Sequence, residues 1–350
     1  MRQAAGVVTG FVLALLAQTS VIADPYVAAA QVAQRLGVAT AVIATDADAE
    51  AVRQRVAAAL ARPLDADTAV EIAVLNNRAL QAAYIAGEHE FAALETALDL
   101  VGETRRAYFN AVAAQQVASY LERALASAEA TAELTRRLAQ AGGANRLDQA
   151  RAAELYVKVA NDVRRARLDA TLAREELTRA LGLWGAEAGY TLPTLPPLPA
   201  SIEVAAGVEA EAVRGRVDLM AARHAVAHEG APAAHRLEAL AIQVRSEVRA
   251  AFAAYQASYE IARAYRDDVI PLRRTIDEEI VYRYNGMLVD VFTVLATVRE
   301  SVAANVAAIS ALRDFHLAEA NLRATLIGGA VAPTAKGGIT PHVDAAPGGH

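Results

Sequence analysis

Cysteine is missing from the sequence, and aromatic residues make up only 5% of it. Without cysteine the chain forms no disulfide and no thiolate metal site, and it has neither a thiol nucleophile nor a lipid-modified N-terminal cysteine. Although the hydrophobic fraction is 55%, much of it is alanine, which favours closely packed helices over large cores. The net charge of −6 and the pI near 5.7 indicate no basic surface, so no nucleic acid is expected as a partner.

The signature motifs of common enzymes are also missing. The sequence has no P-loop, no G-x-G-x-x-G after a predicted strand, no G-x-S-x-G and no H-E-x-x-H. Its serines are few and isolated, and no pair of carboxylates lies in a context that forms a pocket. We therefore expect a protein that is not an enzyme and that has no cofactor and no metal centre.

The N-terminus is typical of a secretory signal peptide over residues 1–23. An N-terminal arginine precedes an uncharged run with an apolar centre at residues 7–17, and small residues precede a cleavage site before Asp24. The alternative is a retained membrane anchor. No later segment is expected to supply the roughly 20 apolar residues that span a bilayer as a helix. The mature chain is predicted to be exported.

The last long helical pattern, with the turn before it, covers residues 282–326. Its apolar residues recur in steps of three and four, so they form one narrow stripe of the coiled-coil type. The stripe consists of Leu288, Val291, Leu295, Val298, Val302, Val306, Ile309, Leu312 and His316 or Leu317. Residues 236–284 carry another helical pattern of roughly 49 residues, about 73 Å at 1.5 Å per residue. Gly286 lies between them, where a residue able to adopt positive φ lets the chain reverse. We predict an antiparallel hairpin of two very long helices.

Residues 24–64 are predicted to form one or two short helices. Breaks are expected at Gly37 and around residues 46–48. Asp65 or Thr68 can then cap the first helix of a longer helical region.

Two long helices are also predicted in the first half, over residues 96–140 and 147–181, with a glycine-containing break at residues 141–145. A proline-rich linker follows at residues 183–200. Residues 329–350 have no periodicity and are predicted to be a disordered tail.

The two halves of the chain, residues 65–182 and 201–328, are an internal repeat. The matching stretches are 80–83 with 219–222, 103–108 with 247–252, 143–148 with 286–290, and 181–182 with 327–328. The offsets stay close to one another, so the copies differ only by small insertions. A repeat of this length indicates a duplicated hairpin rather than a short-repeat solenoid.

The order of these segments resembles the TolC-type outer-membrane efflux protein family. The resemblance is carried by residues 64–77, 105–109, 216–222 and 283–288, and it covers about residues 63–328. It implies a protomer duplicated from helix, two β-strands, long helix, turn and long helix, with three protomers closing a twelve-helix α-barrel below a β-barrel. It also implies a passive homotrimeric export conduit in the outer membrane that works with a periplasmic adaptor protein and an inner-membrane pump.

The sequence departs from the family where the membrane strands are expected. The joints at residues 84–100 and 228–235 have no room for two strands of roughly 9–11 residues with alternating polarity. We therefore expect an all-α protein of tandem long hairpins, joined there by short turns or helix fusions. It would lie in the outer membrane by family, or in the periplasm if the missing strands prevent insertion. The alternative function is a periplasmic coiled-coil interaction protein that does not conduct.

The resemblance places the adaptor-docking tips at the turns between the long helices. The docking residues are Gly142, Gly143 and Leu147 in the first tip and Gly286, Leu288 and Val289 in the second, with Asp148 and Asp290 as the channel-entrance gate. Glycine allows close backbone approach, the apolar residues offer a docking knob, and a carboxylate repeated by symmetry makes a negative ring. The alternative is that the glycines only turn the chain and the aspartates cap the following helices.

Histidines cluster beside the second joint, at residues 224–235. His224 and His228 have the i, i+4 spacing of a pair that can bind zinc or copper, with Glu229 and His235 nearby. Gly230 and the proline after it are expected to disrupt the helix, and this favours a solvated helix end.

Pro271 lies inside the predicted helix of residues 236–284 and should kink it. Such a kink would mark either a change in the curvature of an α-barrel or a helix break near a surface loop.

Overall fold

The computed structural model describes residues 24–86, 91–202 and 207–329. The predicted signal peptide and all but the first residue of the predicted tail lie outside the described residues. The helices are α1 (Pro25–Leu36), α2 (Asp46–Leu60), α3 (Ala66–Asn76), α4 (Arg78–Ala86), α5 (Ala92–Gln140), α6 (Arg146–Ala180), α7 (Val208–Gly215), α8 (Val217–Glu229), α9 (Ala231–Ala264), α10 (Ile270–Asn285) and α11 (Val291–Ile327). The described residues form no β-strand, which confirms the all-α expectation.

Four long helical rods pack side by side as a layer. The first hairpin consists of α5 and α6, and the second consists of the α9–α10 rod and α11. Along the layer, α6 packs against α5, α5 against α11, and α11 against α9 and α10. The predicted tandem of long antiparallel hairpins is therefore confirmed. The outer members of the layer are α6 and the α9–α10 rod.

The largest core lies at the end of the layer away from the hairpin tips. There the short helices α1 to α4 cover the start of α5, and Tyr84, Tyr108 and Leu80 are fully buried. Towards the tips the buried clusters shrink to small sets of alanine, leucine and valine, such as Ala152 and Leu155. The tips are therefore supported by narrow helix–helix seams rather than by a core.

The first helix of each half is interrupted at equivalent positions. Asn77 separates α3 from α4 with extended backbone angles (φ −71°, ψ 119°), and Arg216 separates α7 from α8 in the same way (φ −65°, ψ 136°). Beside each interruption the returning long helix of the same half ends at a glycine with positive φ, Gly182 (+68°) or Gly328 (+95°). A Cβ on either glycine would lie 3.1–3.2 Å from the interrupted helix.

Side chains from the interruptions also bind the ends of the returning helices. The side chain of Asn76 donates to the carbonyls of Leu181 (3.2 Å) and Gly182 (2.7 Å). In the second half Arg216 donates to the carbonyl of Thr325 (3.1 Å). In both halves, therefore, a polar side chain at the interruption satisfies backbone carbonyls at the C-terminal end of the returning helix.

A π-helical turn at Tyr265–Val269 accommodates the proline in the α9–α10 rod. The backbone N–H of Ile270 donates to the carbonyl of Tyr265, five residues earlier. Pro271 follows within the first turn of α10, where it has no N–H to donate. Pro271 cannot make the usual backbone hydrogen bond, and the wider π turn before it accommodates this without ending the helix. The helical rod therefore continues to Asn285.

The N-terminal segment differs in part from its prediction. The helix α1 ends at Gly37 (φ +65°), as expected from the sequence. The break expected at residues 46–48 is wrong, because Asp46 begins α2 and Asp48 closes a capping box with Thr45. Of the two possible caps for α3, Asp65 is the one used, accepting from the N–H of the residue three positions later (2.7 Å).

The proline-rich linker crosses the four rods as a strap. The hydroxyl of Tyr190 in the strap lies 3.0 Å from that of Thr178 on α6. Gln116 on α5 accepts a linker N–H (3.1 Å), and His316 on α11 donates to a linker carbonyl (3.0 Å). Tyr259 on α9 donates to another linker carbonyl (2.7 Å). The strap therefore ties both hairpins together across the layer.

The helix α11 is more apolar than expected from the sequence. Its length and an 18-residue stretch of mean hydropathy 1.3 would allow it to cross a membrane, contrary to the expectation that no later segment approaches this. Only 17% of that stretch is buried within the protomer. In the fold, α11 packs between α5 and the α9–α10 rod.

We predict that Arg216→Ala is strongly destabilising. Arg216 is only 5% exposed and binds the carboxylates of Asp218 (2.7 Å) and Glu247 (2.9 Å). Removing one partner of a buried ion pair typically costs about 3–5 kcal/mol. The side chains of Asp218 and Glu247 are 26% and 24% exposed, so water offsets part of that cost and the loss should lie near the lower end of this range. Urea unfolding at fixed protein concentration measures the loss.

The matched control is Arg249→Ala, which breaks an exposed pair with Glu209 (3.2 Å). Exposed pairs are worth less than about 1 kcal/mol. Equal losses from the two variants would contradict the structural role of Arg216.

Candidate functional site at the two hairpin tips

The first tip is a helix C-terminal turn built on Gly142. This glycine has φ +79°, and no neighbouring atom would contact an added Cβ. The N–H groups of Gly142 and Gly143 donate to the carbonyls of Ala139 (3.2 Å) and Leu138 (2.8 Å). This pattern is the Schellman motif, which requires a left-handed residue just beyond the helix.

A capping box begins α6 after the first tip. The side chain of Asn145 accepts from the N–H of Asp148 (2.9 Å), and the carboxylate of Asp148 accepts from the N–H of Asn145 (3.4 Å). Asp148 is therefore bonded to backbone at the start of α6. Leu147 beside it is exposed.

The second tip uses the same turn with a different residue in the left-handed position. Met287 has φ +57°, while Gly286 has φ −79°. The N–H groups of Met287 and Leu288 donate to the carbonyls of Tyr284 (3.0 Å) and Arg283 (2.9 Å). The expectation that Gly286 supplies positive φ is therefore wrong. The helix continues one residue further than the position of the glycine predicts. The left-handed backbone conformation, which is unfavourable for residues with a Cβ, is therefore adopted by Met287.

Asp290 is the N-cap of α11. Its carboxylate accepts from the N–H (2.8 Å) and the hydroxyl (2.6 Å) of Thr293. These bonds hold the pKa of Asp290 below its ordinary value, with a smaller contribution from the charge of Arg151. The carboxylate is therefore ionised throughout the neutral range.

The two aspartates do not occupy equivalent positions. Gly142 corresponds to Met287 as the left-handed residue, and Asn145 corresponds to Asp290 as the N-cap. Asp148 lies at the third helical position instead. In the internal repeat of the sequence, the two aspartates are paired because Gly143 is matched with Gly286.

Apolar side chains at the second tip project into solvent. Met287 is 93% exposed and Leu288 is 77% exposed, while Val289 is half-buried. Sequence reasoning missed Met287, because a methionine is not an expected residue at positive φ.

A cation–π contact joins the two tips. The guanidinium of Arg151 on α6 lies 4.1 Å from the ring centre of Phe292 on α11. The same arginine contributes to the field at Asp290. Only the tertiary packing of the two hairpins brings these residues together.

No protein-family model matches this chain, and no curated protein matches it by sequence. Several solved outer-membrane channels are similar in structure. OprN is 16% identical over 76% of this chain and 72% of its own, with a TM-score of 0.61. CmeC from Campylobacter jejuni is 14% identical over 76% and 68%, with a TM-score of 0.58. VceC from Vibrio cholerae is 13% identical over 75% of each chain, with a TM-score of 0.58.

The duplicated hairpins, the strap and these structural similarities define a class of fold. The described chain has the fold of the TolC-type outer-membrane efflux channels, as the sequence resemblance predicts. At these identities the similarity establishes the fold alone.

We predict that Asp290→Ala and Asp290→Asn differ in stability. Alanine removes the cap and should lower the free energy of unfolding by about 1 kcal/mol, whereas asparagine is an equally good N-cap and should preserve it. Thermal unfolding of the two variants beside the wild type measures both effects. If Asp290→Asn is as destabilising as Asp290→Ala, the cap assignment is wrong.

Proposed function

We propose that this protein is an outer-membrane-factor-like component of a tripartite efflux system. It forms a passive homotrimeric export conduit and docks a periplasmic adaptor protein through its hairpin tips, and an inner-membrane pump supplies the energy. The fold shared with outer-membrane channels supports this role. The observation that carries it is that both edges of the helical layer keep apolar side chains exposed.

The first edge is the outer face of α6. Val159 and Val163 are buried on the side of the helix that packs in the layer. At about 3.6 residues per turn, a residue nine positions after Val159 lies on the opposite face. Leu168 and Leu172 occupy that outer face, and Leu172 is 59% exposed. This edge therefore has a second apolar surface that the protomer does not cover.

The second edge is the α9–α10 rod. No residue of α10 is buried, and Leu272 is 63% exposed, with Ile276 also exposed. The two edges are different surfaces, so they make a head-to-tail contact, which closes into a ring when the rotation is suitable. Three copies of this four-rod layer would supply the twelve helices that the resemblance to the efflux family implies.

The tips provide the adaptor surface in this proposal. Leu147, Met287 and Leu288 are exposed apolar knobs, and Gly142 and Gly143 let a partner helix approach the backbone. Such knobs fit the groove of a helical hairpin from an adaptor.

The gate proposal concerns the charge of Asp290 and Asp148 at the entrance. Because the pKa of Asp290 is lowered, its charge persists as pH falls through the range from about 8 to 5. A gate that uses this carboxylate responds to cations rather than to pH in that range. The variant Asp290→Asn keeps the cap and removes the charge, so unchanged ion selectivity or drug resistance would exclude the gate.

The alternative is a periplasmic interaction protein that has the same fold but does not conduct. Membrane fractionation separates the two, because the conduit requires residence in the outer membrane and the alternative requires release with soluble periplasmic proteins.

We predict that the purified mature chain is a trimer and that Leu272→Glu/Ile276→Glu converts it to a monomer. Charged side chains on this edge would be desolvated in the ring without partners. Light scattering coupled to gel filtration measures the mass, and far-UV circular dichroism checks that the helices remain. Val27→Glu on α1 changes an exposed apolar residue outside both edges and should leave the trimer intact. A monomeric wild type would contradict the proposal.

We predict that a single cysteine at Leu288 or Leu147 crosslinks to a periplasmic adaptor in cells. The natural chain has no cysteine, so each variant carries one reactive site. Trp184→Cys is the control, because it is exposed but lies at the start of the strap, away from the tips. Mass spectrometry identifies the product. Crosslinking at Trp184 but not at the tips would overturn tip docking.

A further inference from the structure

The joint between α8 and α9 consists of one residue. The helix α8 continues to Glu229, Gly230 has φ +71° and ψ −141°, and α9 begins at Ala231. The helix break predicted at Gly230 is therefore confirmed. His224 and His228 both precede this end within α8 and are four residues apart, so these side chains share one helical face.

The two imidazoles have the spacing of a metal chelate. Their ring centres are 4.8 Å apart, and both side chains are exposed. A divalent ion held at about 2.0–2.1 Å by two imidazole nitrogens separates their ring centres by roughly 4.5–5.2 Å for right-angled to tetrahedral geometry. The observed separation lies within this range, so one ion can be bound by both imidazoles without a change in the spacing of the rings.

Neighbouring groups leave the pair accessible. The ring of Phe91 packs edge-on against His224 (6.5 Å between ring centres) and restricts its rotation. The guanidinium of Arg223 donates to the carbonyl of Val213 (2.6 Å) and is thereby held on α7. The carboxylate of Glu229 is bound by an arginine of α9.

We propose that His224 and His228 form a two-imidazole site for a divalent transition-metal ion, with water completing the coordination. Imidazole nitrogen favours copper, zinc and nickel, and Cu²⁺ binds most tightly in this series. No group of three or more metal-ligating side chains exists among the described residues, so binding is weaker and more exchangeable than at a structural zinc site. The bound ion links two successive turns of α8 and stabilises the helix beside the joint. The proposal is independent of the transport role.

The test is a Cu²⁺ titration of the untagged full chain, followed by electron paramagnetic resonance and thermal unfolding. Wild type should show a site with two nitrogen ligands and should unfold at a higher temperature with Cu²⁺. His224→Ala/His228→Ala should lose that site and the thermal shift. Either single variant should bind at least about tenfold more weakly, since even changes outside the ligand set cost 10–100-fold.

Two controls address other histidines. His235→Ala removes an exposed neighbour that lies 3.8 Å from Glu238, and His342→Ala/His350→Ala removes the histidines of the C-terminal segment. Both should retain the wild-type site. If the double variant at residues 224 and 228 keeps the spectrum and the thermal shift, or if a control abolishes them, the proposal is wrong. All substituted side chains of α8 and α9 are exposed, so circular dichroism should show unchanged helix content.

Discussion

A long helix with one narrow apolar stripe buries that stripe only against partners that run beside it for its full length. This constraint governs the whole molecule. The helix α5 has 49 residues and cannot fold back on itself, so it packs against α6 on one side and α11 on the other. Alanines such as Ala128 and Ala152 let these rods approach closely but bury little area each. Much apolar surface therefore remains at the two edges of the layer.

Polar side chains satisfy the free backbone groups at both ends of the rods. Arg216 and Asn76 bind the carbonyls where the returning helices finish. At the opposite end, Asn145 and Asp290 satisfy the first free N–H groups of α6 and α11. Both halves use polar side chains in this way at both ends of their rods, as expected for a duplicated hairpin.

The candidate site was predictable in location but not in detail. The glycines at residues 142, 143 and 286 mark both turns, and the structure places turns there. The left-handed position at Met287 was not predictable, because helix length depends on the carbonyls available at the last turn and not on the nearest glycine. The pairing of Asp148 with Asp290 fails for the same reason. The contact between Arg151 and Phe292 required knowledge of how the hairpins lie side by side.

The sequence by itself determined the all-α class, the duplication and the resemblance to the efflux family, because apolar periodicity and breaks at glycine and proline are local properties of the chain. Only the tertiary structure decided the order of the rods and the course of the strap. It also decided which apolar residues stay exposed at the edges and how the π turn accommodates Pro271. These features depend on contacts between residues far apart in the chain, and many arrangements satisfy the same local pattern until the rods pack together.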